Sequence, residues 1–97
     1  MELVNELKYN GITYRVNDII KIKYRMLDHI DSVKIIAIAN TNYFLCRTRY
    51  NESMMVLPSQ IISKEKKDKE LEKIVYKANY KKVLEMLIFF YEAEKDK

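Results

Sequence analysis

The stretch MMVLPSQII, Met54 to Ile62, decides how this chain is to be read. It follows the run YFLCRTRY (43–50) and stands just before a charged segment, 63–97, that holds no glycine or proline. Pro58 is the only proline in 97 residues, and it comes after the four apolar residues Met54 to Leu57. Proline cannot donate to a sheet ladder, so MMVL reads as a strand that stops at Pro58. The position of that stop, after a series of strand signals and before a helical one, predicts that it closes a small β-barrel.

Working outward from it, the strand signals lie upstream. In KYNGITYR, Asn10-Gly11 stands between β-favouring residues and suits the positive φ values of a type I′ turn, which predicts a hairpin from about Leu3 to Val16. In VNDIIKIKYR, Ile20, Ile22 and Tyr24 alternate with Lys21, Lys23 and Arg25, the pattern of a half-buried strand. After MLDHID, the run SVKIIAIAN places Val33, Ile35, Ala37 and Ala39 on one face and Ile36 and Ile38 on the other. NTN (40–42) and NES (51–53) are turn signals flanking YFLCRTRY, where Phe44, Cys46, Thr48 and Tyr50 oppose Arg47 and Arg49. Short strands with tight turns inside about sixty residues predict a closed, five-stranded antiparallel barrel, because an open sheet leaves edges that aggregate.

Two of these stretches carry a resemblance. YRVNDIIKI is similar to the segment after the first long loop of SH3 domains, and MMVLPSQII resembles the Pro-Ser signature that closes them. The likeness spans about Lys8 to Ser63. It implies an SH3-like barrel in which Pro58 opens a single 3₁₀ turn and Ile61 and Ile62 seal the last strand. It does not carry over the Pro-rich peptide site: Ile61 stands where that family has a tyrosine, the chain has no tryptophan, and Tyr43 is the nearest aromatic to its place.

From Ser63, which can cap a helix, the period changes and helix is predicted to the carboxy terminus. Leu71, Ile74, Val75 and Ala78 make one apolar stripe; Tyr80, Val83, Leu84, Leu87, Phe90 and Tyr91 make another on nearly the opposite side. One straight helix cannot bury both against one barrel. Either the helix breaks at Asn79, giving two helices, or a single helix is sandwiched between the barrel and a second surface. The expected architecture is therefore α+β: residues 1–62 as the barrel and 63–97 as a helical extension packed on it in one folding unit.

Composition sets the remaining bounds. Hydrophobic residues are 48% and charged residues 33%, a globular balance. The longest apolar run, Met86 to Tyr91, is far below the ~20 residues a membrane-spanning helix needs. The amino terminus lacks the order of a secretory signal, and Cys46 is the only cysteine, so a cytoplasmic setting is expected, with Cys46 as an apolar core residue. The net charge of +4 divides evenly, +2 in residues 1–62 and +2 in 63–97, so neither part resembles a basic arm. Abundant Ile, Lys, Asn and Tyr with little Gly, Pro or Trp fit A/T-rich codons, which points to a low-GC bacterium or its phages and mobile elements.

No catalytic constellation emerges. His29, between Asp28 and Asp31, is the sole histidine and has no second His or Cys to complete a metal site. A single glycine excludes phosphate-binding loops, and Glu70 and Glu72 stand among lysines as a solvated helix face. The expectation is a non-enzyme with no cofactor, no metal, no small-molecule substrate and no membrane span. Two binding surfaces are candidates. Met86, Ile88, Phe89, Phe90 and Tyr91 exceed what one buried helix face needs and predict a protein partner or a homodimer, as in a phage or mobile-element regulator that inhibits a host or defence protein. Lys21, Lys23, Arg25, Arg47 and Arg49, with Tyr43, form the alternative: a KOW- or Tudor-like nucleic-acid-binding face.

Overall fold

The computed structural model describes residues 1–75 and 79–95. Its strands are β1 (Leu3–Val4), β2 (Glu6–Tyr9), β3 (Ile12–Arg15), β4 (Ile19–Lys23), β5 (Ile30–Ala39), β6 (Tyr43–Thr48), β7 (Ser53–Val56) and β8 (Ile61–Glu65). A 3₁₀ turn, Pro58–Gln60, separates β7 from β8, and the helices are α1 (Lys69–Glu72) and α2 (Tyr80–Lys95). The fold is α+β, with antiparallel ladders throughout.

Asparagine makes the turns. Asn10 and Gly11 have φ of 50° and 81°, and Asn17, Asn42 and Asn51 lie at 79°, 70° and 66°. Asn tolerates the left-handed region because its short amide can bond the local backbone, which is how a chain with one glycine turns so often. The Asn10-Gly11 turn closes the β2–β3 hairpin with Tyr9 opposite Ile12. That hairpin is shorter than the expected Leu3 to Val16: β1 leaves it and pairs instead with the far end of β5, Leu3 opposite Ala39.

The closed five-stranded barrel is not formed. The main sheet runs β7-β6-β5-β4-β8, with β1 beyond β4 along the edge of β5 opposite β6, and among the described residues no ladder joins β7 to β8. The 3₁₀ turn makes the corner between these two ends. Leu57 N–H donates to Gln60 Oε1 (2.8 Å), and Gln60 Nε2 donates to the Lys23 carbonyl (3.1 Å), so one buried glutamine fastens the turn to the end of β4. Instead of closure, each sheet face is covered by another layer. On one face Tyr14 of the hairpin packs edge-on to Phe44 (5.7 Å between ring centres) over Ile20, Ile22, Val33, Ile35, Ile38, Cys46 and Val56. On the other, α2 lays Leu84, Val83, Leu87, Ile88 and Tyr91 on Ile36, Ala37, Ala39, Leu45 and Met55.

This second layer depends on a β-bulge. Ile35 opposes Cys46 and Ala37 opposes Leu45, leaving Ile36 as an extra residue in β5. Strict alternation would put Ile38 with Ile36 and Ala37 with Ile35. The bulge inverts the phase, so Ile38 joins Val33 and Ile35 under the hairpin while Ile36, Ala37 and Ala39 face α2.

The helical segment also begins later than expected. Ser63 opposes Lys21 inside β8, which carries the sheet past Ile62 to Glu65. This strand is mostly exposed and polar, so it carries no apolar alternation; its place on β4 is supported by Lys21–Glu65 (3.4 Å) and Lys64–Asp18 (3.1 Å) ion pairs. Asp68 caps α1 in place of Ser63, its Oδ1 accepting from the Glu70 and Leu71 amides, both at 3.1 Å. Two helices result, as one of the two alternatives had it, but the chain leaves the helix at Lys73, and Asn79 starts α2 by accepting from the Lys82 amide at 3.2 Å. Lys34, buried in β5, donates through Nζ to the Glu72 and Ile74 carbonyls (3.3 and 3.0 Å), which anchors the end of α1 to the sheet. Of the first apolar stripe, Leu71 is buried and Val75 exposed, while Ala78 lies outside the described residues.

Candidate docking site

The loop between β4 and β5 is pinched at its base, where the Tyr24 amide donates to the His29 carbonyl (2.9 Å) and the two rings lie 5.1 Å apart. The tip, Arg25 to Asp28, projects from the sheet. Met26 is 91% exposed and Leu27 63%, values far from the core environment such side chains favour. Opposite them α2 presents Phe90, 58% exposed. Between loop and helix lies a cleft of about 360 Å³. Its walls are Tyr24 to Leu27 from the loop, Leu87, Phe90, Tyr91 and Glu94 from α2, Ser53 to Met55 from β7, and Gln60 from the 3₁₀ turn.

The helix wall is held in place from below. The Tyr43 hydroxyl donates to Glu92 Oε1 at 2.5 Å, and the Tyr43 and Tyr91 rings meet edge to face at 6.0 Å. The hydrogen bond to Glu92, with partial burial and the glutamate's charge, pushes the Tyr43 pKa up to about 12. Arg25 lies over the Tyr91 ring, 4.6 Å from its centre, bridging loop and helix.

The five residues expected to bind protein therefore divide. Met86 (52% exposed), Phe89 (68%) and Phe90 are outward, whereas Ile88 and Tyr91 pack against the sheet. Phe90 belongs to the cleft; Met86 and Phe89 lie on the far side of α2, around a shallow depression with Lys82, Glu85, Val83 and Asn79. Met26 and Leu27 were not expected from the sequence. Their signal was two large apolar residues inside a pattern-breaking loop.

Five of the six residues of the nucleic-acid alternative have an ion-pair or hydrogen-bond partner within the chain, and the sixth, Arg25, lies on an aromatic ring. Lys21 pairs with Glu65, and Lys23 with Asp28 at 3.6 Å. Arg49 binds Asp31, Asp68 and Glu70 at 3.4, 3.0 and 3.4 Å, and Arg47 donates to Asn51 and Ser53. Arg25 is on Tyr91, and Tyr43 is on Glu92. Arg49 thus ties the α1 cap to the sheet. Tyr50, 74% exposed, does not continue the buried face of Phe44 and Cys46.

Cys46 is fully buried, and burial alone raises its pKa. Among the described residues no three His, Cys, Asp or Glu side chains come together as a metal site, and no buried side-chain nitrogen or oxygen lacks a partner. No described helix is long and apolar enough to cross a membrane. Comparisons with protein-family models, with curated proteins and with solved structures return no match.

Proposed function

We propose that the chain is a non-catalytic protein-interaction module that takes an apolar, acid-flanked segment of another protein into the cleft between the 24–27 loop and α2. The observation that carries this is the gathering of Met26, Leu27 and Phe90, all exposed, around one cleft. Covering such side chains yields about 1.5–3 kcal/mol each before association costs. Arg25 supports the acidic flank: it rests on an aromatic face, and among the described residues no ion pair holds it. The finer architecture goes with this reading. The β4-to-β7 meander, the Pro58 turn and the return of β8 to β4 support an SH3-like arrangement with β7 and β8 as the lips of an opened barrel. The composition makes a phage or mobile-element regulator acting on a host or defence protein the setting we propose, in the cytoplasm.

The test compares wild type with Leu27→Asp/Phe90→Asp as bait in low-GC bacterial lysate, after equal melting temperatures are established. A protein retained by wild type and released by the variant, and binding at least about tenfold more weakly when purified, is the expected result. Equal retention by both baits refutes the cleft as the docking site.

A further inference from the structure

The backbone of β7 is left half-paired. Among the described residues β7 has β6 on one side and no strand on the other, and the register says which of its groups are left over. The Thr48 amide donates to the Glu52 carbonyl at 2.9 Å, so these two residues form a hydrogen-bonded pair. Along the same antiparallel ladder Cys46 with Met54 and Phe44 with Val56 are then bonded pairs, whereas Leu45 with Met55 is not. The Met55 N–H and C=O therefore point away from β6, off the free edge. Among the described residues neither finds a hydrogen-bond partner. The next outward pair is already closed, since Leu57 N–H donates to Gln60 Oε1 and the Leu57 carbonyl accepts from the Gln60 amide, at 2.8 and 2.9 Å. Met55 is only 5% exposed, and backbone groups so placed are paired in the great majority of proteins.

This edge lines the cleft, through Ser53, Met54 and Met55. Resting on the docking role proposed for that cleft, we propose that its occupant is an extended segment of the partner protein, added to β7 as a further strand and bonded main chain to main chain at Met55. A docked helix has its own backbone groups satisfied internally and would leave Met55 unpaired, whereas a strand satisfies both Met55 groups at once. The edge is recessed between the 24–27 loop and α2. A second copy's β7, enclosed in the same way, is kept from it by both sets of walls, while a lone segment can enter. The side chains of the edge agree. β8, at the other end of the sheet, carries Lys64 and Glu65, charges that deter strand pairing; β7, Ser-Met-Met-Val, has neither charge nor proline. Alternation then describes the partner. A residue opposite Met55 points, as Met55 does, to the α2 side, toward Leu87, Phe90 and Tyr91, and so do the residues two places before and after it. With β7 four residues long, ~13 Å, the segment is a short one with apolar side chains at every second position.

The first test needs no ligand. Amide hydrogen exchange followed by NMR should find the Met55 amide fast in the free protein, between slow Met54 and Val56 amides bonded to β6. A Met55 amide as slow as its neighbours overturns the proposal, because the edge is then already satisfied. The second test uses a displayed library of random peptides selected on the wild-type chain. Enriched peptides should carry apolar residues at alternate positions, slow the Met55 amide on binding, and bind about tenfold or more weakly when N-methylated at every second amide but not at the amides between. Peptides that require Leu27 and Phe90, by losing binding to Leu27→Asp/Phe90→Asp, yet leave Met55 exchange unchanged and tolerate N-methylation throughout, overturn the added strand and keep the cleft. Peptides that bind that variant as well as wild type, or a library with no enrichment, refute the cleft and the strand with it.

Discussion

The Tyr43 hydroxyl reaches Glu92 Oε1 at 2.5 Å across 49 residues of sequence, and this bond fastens the last turns of α2 to β6. Its tyrosine must be protonated to donate. The folded-state pKa is raised to about 12 from an ordinary value near 10. A group whose folded pKa lies above its unfolded value adds stability that is complete below the unfolded pKa and vanishes as pH rises through the folded one. Stability should therefore fall between about pH 10 and pH 12, in a component that Tyr43→Phe removes while costing about 1 kcal/mol at neutral pH. Chemical denaturation of both chains across that range measures it; parallel pH profiles for the two would disprove the coupling.

The two sides of α2 should respond oppositely to truncation. Leu84 is fully buried against the sheet, so Leu84→Ala is expected to cost about 2–5 kcal/mol. Phe89, mostly exposed, should change the stability of the monomer by no more than about 0.5 kcal/mol on replacement with Ala. Urea titration at low protein concentration distinguishes them, and a large effect at Phe89 would mean that its face is packed within the monomer.

Asp68 gives the acid side of the pH profile. Its carboxylate accepts from the Leu71 and Glu70 amides and pairs with Arg49 at 3.0 Å, and these bonds, the Leu71 amide foremost, hold its pKa below the ordinary carboxylate value. A lowered folded pKa contributes stability above the unfolded pKa that is lost as pH falls through the folded one. Asp68→Ala should cost about 1 kcal/mol at neutral pH and flatten the acid limb of the stability curve. An acid limb identical to that of wild type would show that α1 is not anchored through this residue.

Cys46 should be inert in the native state, because its thiol is buried and its pKa raised by that burial. Alkylation monitored by mass spectrometry is expected only in denaturant. Rapid native labelling would place the core opening around Phe44 and Cys46 on a much shorter timescale than so buried a site implies.

The basic residues on the sheet should not make a nucleic-acid site. With Lys21, Lys23 and Arg49 each ion-paired inside the chain, labelled DNA or RNA should show no mobility shift at low salt and micromolar protein. A shift that disappears steeply with salt would revive phosphate binding on this face.

Much of the fold was legible in local sequence, because its signals are local. Asn10-Gly11 specifies a turn by backbone sterics, Pro58 specifies a strand end by lacking a donor, and the alternation of Ile20 to Arg25 specifies a half-buried strand. The shift of phase at Ile36 was not legible, since a bulge is defined by the partner strand and both faces of β5 are apolar. Nor was β8 as far as Glu65, which has no apolar pattern and is held by the β4 edge and two ion pairs. The residues proposed for docking show the same division. An excess of apolar side chains in α2 is a matter of counting, but which of them face outward depends on the sheet against which the helix is laid. The amino-acid order thus determined the turns, most strand segments and the apolar surplus, which follow from near-neighbour chemistry. The open sheet, its two covered faces and the meeting of Met26, Leu27 and Phe90 were decided only in three dimensions, where residues distant in sequence compete for the same edges and surfaces.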